Sequence, residues 1–270
     1  MFTSLRLSLV ALALSTSAAV AHEFWIDPQD FTPDPGANIV ADIRVGQSFN
    51  GSSYAYIPDN FRLFELAQGE TRTPVEGRIG DRPALDAAPL GEGLNVILHV
   101  TRDYALTWKE WQKFADFVTH KDFDGVIEAH RAKGHPEKDF TEMYSRYGKS
   151  LVAVGEGAGQ DRAYGLLTEI VALKNPYTDD LSSGLPVRVL YQDAPRKDVQ
   201  VEIFAKAPDG SVTTTTTRTD DKGEATIPVT PGDTYLLDAV VMREPSAELA
   251  AKTGALWESL WASLTFRAPE

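Results

Sequence analysis

Thr219-Asp-Asp-Lys-Gly223, Glu224-Ala-Thr-Ile-Pro-Val229 and Thr230-Pro-Gly-Asp-Thr-Tyr235 follow one another without a gap. Gly, Asp and Pro turn chemistry thus stands on both sides of one short, β-prone segment. That is the pattern of an edge-type strand tied closely to its neighbours. Working outward, Leu185–Tyr191, Val199–Ala205 and Val212–Arg218 precede it, and Tyr235–Met242 and Ala262–Arg267 follow. Thr213–Thr217 is a run of β-branched residues and reads as strand, not as low complexity. Strands at roughly 8–14-residue spacing, separated by Gly/Asp/Pro turns, predict an antiparallel sandwich.

This half resembles the small immunoglobulin-like or transthyretin-like modules of carboxypeptidase regulatory domains and bacterial adhesins. Upstream, Asn38–Val45, Phe61–Leu66, Leu94–Thr101, Ser150–Val154 and Leu166–Leu173 also read as strands. The period changes at Thr107-Trp-Lys-Glu110, which has the spacing of a capping box. Trp108, Trp111, Phe114, Ala115 and Val118 then recur at helical spacing. Further helices are expected over about 122–132 and 139–147, so about 107–148 reads as a helical insertion. Gly155-Glu-Gly-Ala-Gly159 is the candidate boundary. The expected fold is mainly β, with two immunoglobulin-like/transthyretin-like β-sandwich domains, 22–158 and 159–270, the first carrying the insertion. A short helix within Ser246–Ala262 would set Trp257 and Trp261 on one face, as core residues.

Met1–Ala21 reads as a signal peptide: one early Arg, an Ala/Leu-rich run and the small-x-small site Ala19-Val-Ala21. Its apolar run of roughly 14 residues falls short of the ~20 a membrane helix needs. Cleavage after Ala21 and a periplasmic location are therefore expected, with no membrane insertion. The net charge of −13 repels nucleic acid and anionic lipid. The absence of cysteine excludes disulfides, thiolate metal sites and cysteine nucleophiles. No dinucleotide fingerprint, phosphate loop or nucleophile elbow is present, and no enzymatic activity is expected.

Chemistry then rests on the five histidines. His120, His130 and His135 lie in or beside the insertion, share no i,i+4 face, and read as solvated. His99 lies mid-strand, where a core histidine is the default, and becomes a ligand candidate if its face meets the N-terminus. His22 differs. After cleavage its α-amine and imidazole Nδ1 would grip one ion as a bidentate nitrogen pair suited to Cu(II) or Ni(II). Phe24 and Trp25 just behind it argue for a pinned terminus.

Ala21-His-Glu-Phe-Trp25 resembles the mature start of a family of exported bacterial proteins catalogued as a domain of unknown function and often labelled periplasmic components of nickel/cobalt uptake. The likeness continues at Ile43–Gly46, Leu98-His99, Tyr144–Val152, Asn175–Tyr177, Leu185–Tyr191, Thr219–Gly223 and Trp257–Phe266. It implies a β-rich periplasmic protein of metal handling without established catalysis. His22 and His99 match the family pattern, while Val241 stands about where members often carry a histidine. The expected role is binding of a divalent transition metal (nickel or cobalt, with copper as an option) for uptake or delivery to a membrane transporter. His22 and His99 are the leading ligands, and Glu23 and Asp27 the weaker ones. Two other readings are a metal-free interaction module and a copper histidine-brace protein.

Overall fold

A computed structural model describes residues 22–270; the signal-peptide reading of 1–21 lies outside the described residues. The first strands are β1 (Glu23–Pro28), β2 (Ile39–Gln47), β3 (Asn50–Tyr54), β4 (Phe61–Gln68), β5 (Thr71–Pro74) and β6 (Leu85–Ala87). Next come β7 (Gly93–Thr101), β8 (Tyr104–Trp108), helices α1 (Trp111–His120) and α2 (Val126–Ala132), and β9 (Phe140–Val154). The rest are β10 (Thr168–Ala172), β11 (Leu185–Tyr191), β12 (Ala194–Pro195), β13 (Gln200–Lys206), β14 (Val212–Arg218), β15 (Glu224–Ile227), β16 (Thr234–Arg243), α3 (Ala247–Thr253) and β17 (Ala255–Arg267). The protein is mainly β, with a sandwich-like layering of three sheets.

A nine-stranded sheet forms the middle layer, in the order β14-β13-β16-β17-β9-β7-β4-β5, with β8 added on β9. It draws strands from both sides of residue 158. The two halves meet where β17 pairs in parallel with β9; the other pairs of this sheet are antiparallel. On one face lies the sheet of β10, β11, β12 and β15. Between them Leu94, Val96, Leu98 and Leu151 meet Ile170, Val187, Leu237 and Leu264. On the other face the sheet of β1, β2, β3 and β6 buries Phe24, Ile26, Ile39 and Ile43 against Phe64, Ile97 and Val152. Helices α1 and α2 cover the remainder of that face with Phe114, Phe117 and Val118, packed on Trp257 and Trp261. Both tryptophans are core residues, as expected, but they sit on a strand: the helix of this region ends at Thr253. Alternate positions share a face on a strand too, so i,i+4 spacing did not distinguish the two.

The insertion differs from expectation at both ends. Thr107 lies in β8 opposite Thr141, and α1 begins only after Glu110, whose side chain makes no cap. The third helix, expected at 139–147, is absent; those residues form the first half of β9. Phe140, Thr141, Tyr144 and Tyr147 are β-prone, and one edge of the strand is taken by β17 and the other by β8 and β7. Pairing on both edges overrides local periodicity. Among the described residues, no helix is long and apolar enough to cross a membrane.

Candidate functional site

Strand β1 runs across the middle sheet with almost every side chain buried. Phe24 lies over Gly148, where a Cβ would come within 2.7 Å of the Phe24 ring; the glycine allows the close approach. Trp25 is 1% exposed and packs edge-on to Phe49 at 5.5 Å. These aromatic anchors fix the position of His22, which is exposed immediately before the strand. The Arg146 guanidinium donates to the His22 carbonyl at 3.3 Å.

His22 lines a cleft of about 360 Å³ together with Trp108, Lys109, Glu110, Lys113, Glu142, Tyr144, Arg146 and Trp261. Lys113 pairs with Glu110 at 2.7 Å. Glu142 is the buried acid of this cleft. Its carboxyl accepts from Trp108 Nε1–H at 2.7 Å and from the Ser259 hydroxyl, which in turn accepts from Trp261 Nε1–H at 2.9 Å. Burial pushes it up to about 7, against the lowering effect of these two donors.

His99 lines a second cleft, of about 250 Å³, with Phe24, Tyr54, Phe61, Arg102, Tyr104, Tyr144 and Arg146. Tyr144 and Arg146 are shared with the first cleft and stand between them. The His99 ring is enclosed by Phe24, Phe61 and Phe64, with centroids at 5.2, 5.4 and 5.1 Å. It is 3% exposed, Nδ1 has no hydrogen-bond partner, and burial lowers its pKa to about 3. A neutral imidazole is thus held in an aromatic setting.

Glu23 points into the interior. Its carboxylate accepts from the Ser48 N–H at 3.0 Å, and burial, then Asp238, push it up to about 7. Asp27 pairs with Arg44 at 2.5 Å. Each of the four sequence-nominated residues therefore has a different setting: His22 and His99 line separate clefts, Glu23 is internal, and Asp27 is engaged by arginine. Among the described residues no three His, Cys, Asp or Glu side chains converge as a metal-holding group. Val241 packs in the core on the far face of the middle sheet. A histidine at that register would face away from β1, so valine there removes nothing from the His22 side.

The helical histidines divide. His120 is exposed and bonds Glu202 at 2.9 Å, and His135 is half-buried. His130 departs from the solvated reading: it is fully buried, its Nδ1 accepting from Trp257 Nε1–H and its Nε2 facing the Pro136 carbonyl, both at 3.0 Å. The packing of α2 on β17, invisible in local spacing, buries it. Sequence reading also passed over Arg146, Glu142 and a buried group in which Lys121 bonds Glu202 and Asp238.

A family model described as "Domain of unknown function (DUF4198)" matches residues 19–243. The chain belongs to this family. The DUF4198 match ends at Arg243, the last residue of β16, so α3 and β17 lie beyond it, including the Trp257–Phe266 motif. No curated protein sequence matches the chain. Among solved structures it is similar to the "tetra-tandem repeat in extending region of large adhesion protein", at 9% identity and a TM-score of 0.22. That comparison covers 92% of this chain and 50% of the other, so the chain spans half the length of that relative.

Proposed function

We propose that this DUF4198 protein is an exported, non-catalytic binding protein that takes one divalent transition-metal ion at His22 and serves metal uptake or delivery. The observation carrying this reading is the setting of His22, an exposed residue at a cleft wall whose backbone is held by the buried β1 strand and by Arg146. With the leader removed after Ala21, the α-amine and the imidazole Nδ1 of this one residue form a chelate. Neutral nitrogen donors suit Ni(II), Co(II) and Cu(II). The nickel/cobalt label attached to proteins of similar mature start agrees with that donor set. Lys109 and Arg146 add positive charge to the same cleft, a setting that favours release of a cation over permanent retention, as delivery to a membrane transporter requires. A copper histidine brace needs a second histidine beside the first, and the enclosure of His99 in its own cleft gives that reading no support.

The test is calorimetry with Ni(II), Co(II) and Cu(II) on protein beginning at His22. Binding should weaken in acid, because protons compete with a metal ion for nitrogen donors. It should be lost in His22→Ala, and lost equally when one extra residue precedes His22 and blocks the amine. If His22→Ala binds every metal as well as wild type, the assignment is wrong.

A further inference from the structure

We infer that the cleft walled by Tyr54, Phe61, His99, Arg102, Tyr104 and Arg146 binds a small, planar organic carboxylate. This inference does not rest on the metal reading.

The first observation is charge. The protein carries 39 acidic against 26 basic residues, yet the residues lining this cleft include two arginines and neither an aspartate nor a glutamate. Asp103, the acid nearest in sequence, is taken by Arg62 at 3.2 Å. Arg146 is in no ion pair among the described residues; it donates to the His22 carbonyl, and its buried Nε has no acceptor. A guanidinium in so acidic a chain ordinarily finds a carboxylate, and leaving one of its N–H groups buried and unmade is unfavourable. An arriving carboxylate would supply the counter-charge that the guanidinium lacks in ion-pair range, through a charge-assisted hydrogen bond.

The second observation is how the two arginines are held. Tyr104 and Tyr144 are cross-strand partners on β8 and β9, stacked at 5.5 Å and 27°. Arg102 lies over Tyr104 and Arg146 over Tyr144, each at 4.9 Å. Two guanidinium groups and a stacked phenol pair thus line one wall. Contact with the rings restrains the guanidinium groups and lowers the conformational freedom lost on binding.

The third observation concerns the rest of the wall. Phe24, Phe61 and Tyr54 supply flat apolar surface, and His99 adds a buried Nδ1 that lacks a partner. A cleft of about 250 Å³ accepts a single-ring acid with room for a substituent. Phosphate is more strongly hydrated and would gain nothing from these rings.

The experiment uses metal-free protein beginning at His22 and carrying His22→Ala, titrated with benzoate and followed by calorimetry and tyrosine fluorescence. Benzamide serves as the neutral isostere and inorganic phosphate as a competitor. Benzoate should bind with a Kd of about 1 mM or tighter, and benzamide at least tenfold more weakly. Arg102→Gln, at an exposed position, should weaken benzoate several-fold with an unchanged melting temperature; Arg146→Gln should abolish binding. If Arg146→Gln does not fold, Arg102→Gln and the benzamide comparison decide. Benzamide binding as well as benzoate, phosphate displacing benzoate at equal or lower concentration, wild-type affinity in the folded arginine variants, or no benzoate binding up to about 10 mM would each overturn the inference.

Discussion

Lys149 and Arg146 lie three residues apart on β9 and therefore face opposite sides of the middle sheet. Lys149 is fully buried and saturated. Its ammonium donates to Asp161 and Glu169 at 2.9 Å and to the Arg162 carbonyl at 3.0 Å. The carboxylates are engaged in turn: Asp161 accepts from the Ala172 N–H at 2.8 Å, and Glu169 from the Tyr164 and Leu166 N–H groups. Burial pulls the Lys149 pKa down, but its two acids more than reverse this and the net direction is up. Arg146 has stacking partners and one carbonyl, with no acid of its own. A buried cation with all its partners fixes structure; one that feels Asp238 only at a distance, with no carboxylate in ion-pair range, retains capacity for a ligand.

The contrast predicts its largest effect at Lys149. Lys149→Met strands two buried carboxylates and should destabilise the fold by about 3–5 kcal/mol. Urea unfolding at neutral pH measures this. Adding Asp161→Asn and Glu169→Gln should recover part of the loss. A drop below about 1 kcal/mol would remove the distinction between the two faces.

Neither role was legible locally. Tyr144-Ser-Arg-Tyr-Gly-Lys149 has an unremarkable polar pattern, and read alone it resembles a helix surface. Its two-sided pairing comes from β17, more than a hundred residues downstream, and from β7 and β8. Where alternation and turn residues decide the matter locally, reading succeeded: Leu185–Tyr191 and Val212–Arg218 are strands with the expected ends. The parallel pairing of β9 with β17 has no local signature, so the sheet uniting the two halves stayed hidden. His22 was nominated because its chemistry follows from position in the chain. The arginine stack had a faint signal, Arg102-x-Tyr104 mirrored by Tyr144-x-Arg146. Spacing of two puts Tyr144 and Arg146 on one face of a strand, but only if 144–146 is first known to be strand, and Arg102 lies in the connection between β7 and β8.

A neutral His99 keeps the charge of the second cleft on its arginines alone, and this has a pH signature. Its folded pKa of about 3 lies below the unfolded value of 6.5. The contribution is therefore complete above pH 6.5 and lost as pH falls toward 3, on the order of 5 kcal/mol across the window. His99→Phe should flatten that acid limb in unfolding measured against pH. An unchanged slope would mean that His99 charges within the fold, bringing the cleft closer to the Lys149 pattern.

Glu142 provides the opposite slope on the face shared with Arg146. Its folded pKa of about 7 exceeds the ordinary 4.5. Stability from its protonated form is complete below pH 4.5 and lost as pH rises through 7, on the order of 3 kcal/mol. Glu142→Gln keeps an acceptor for Trp108 and should reduce the slope between pH 4.5 and 7, leaving the part that belongs to Glu23, whose carboxyl is also pushed up to about 7. An unchanged slope would mean that Glu142 contributes nothing to the charge sensitivity of this face.

The smallest effect should be at Arg146 itself, and it bears most directly on the comparison. Arg146→Gln orphans no carboxylate; it removes one long hydrogen bond to the His22 carbonyl and the stacking on Tyr144 and Phe24. It also relieves a buried charge whose pKa desolvation already lowers. These losses and gains are each about 1 kcal/mol and of opposite sign, so unfolding free energy should change by about 1 kcal/mol or less. Lys149→Met measured beside it should be several-fold more damaging, although both replace a cation on the same strand. A loss at Arg146 equal to that at Lys149 would mean that its charge serves the fold, and the case for a carboxylate ligand would fall with it.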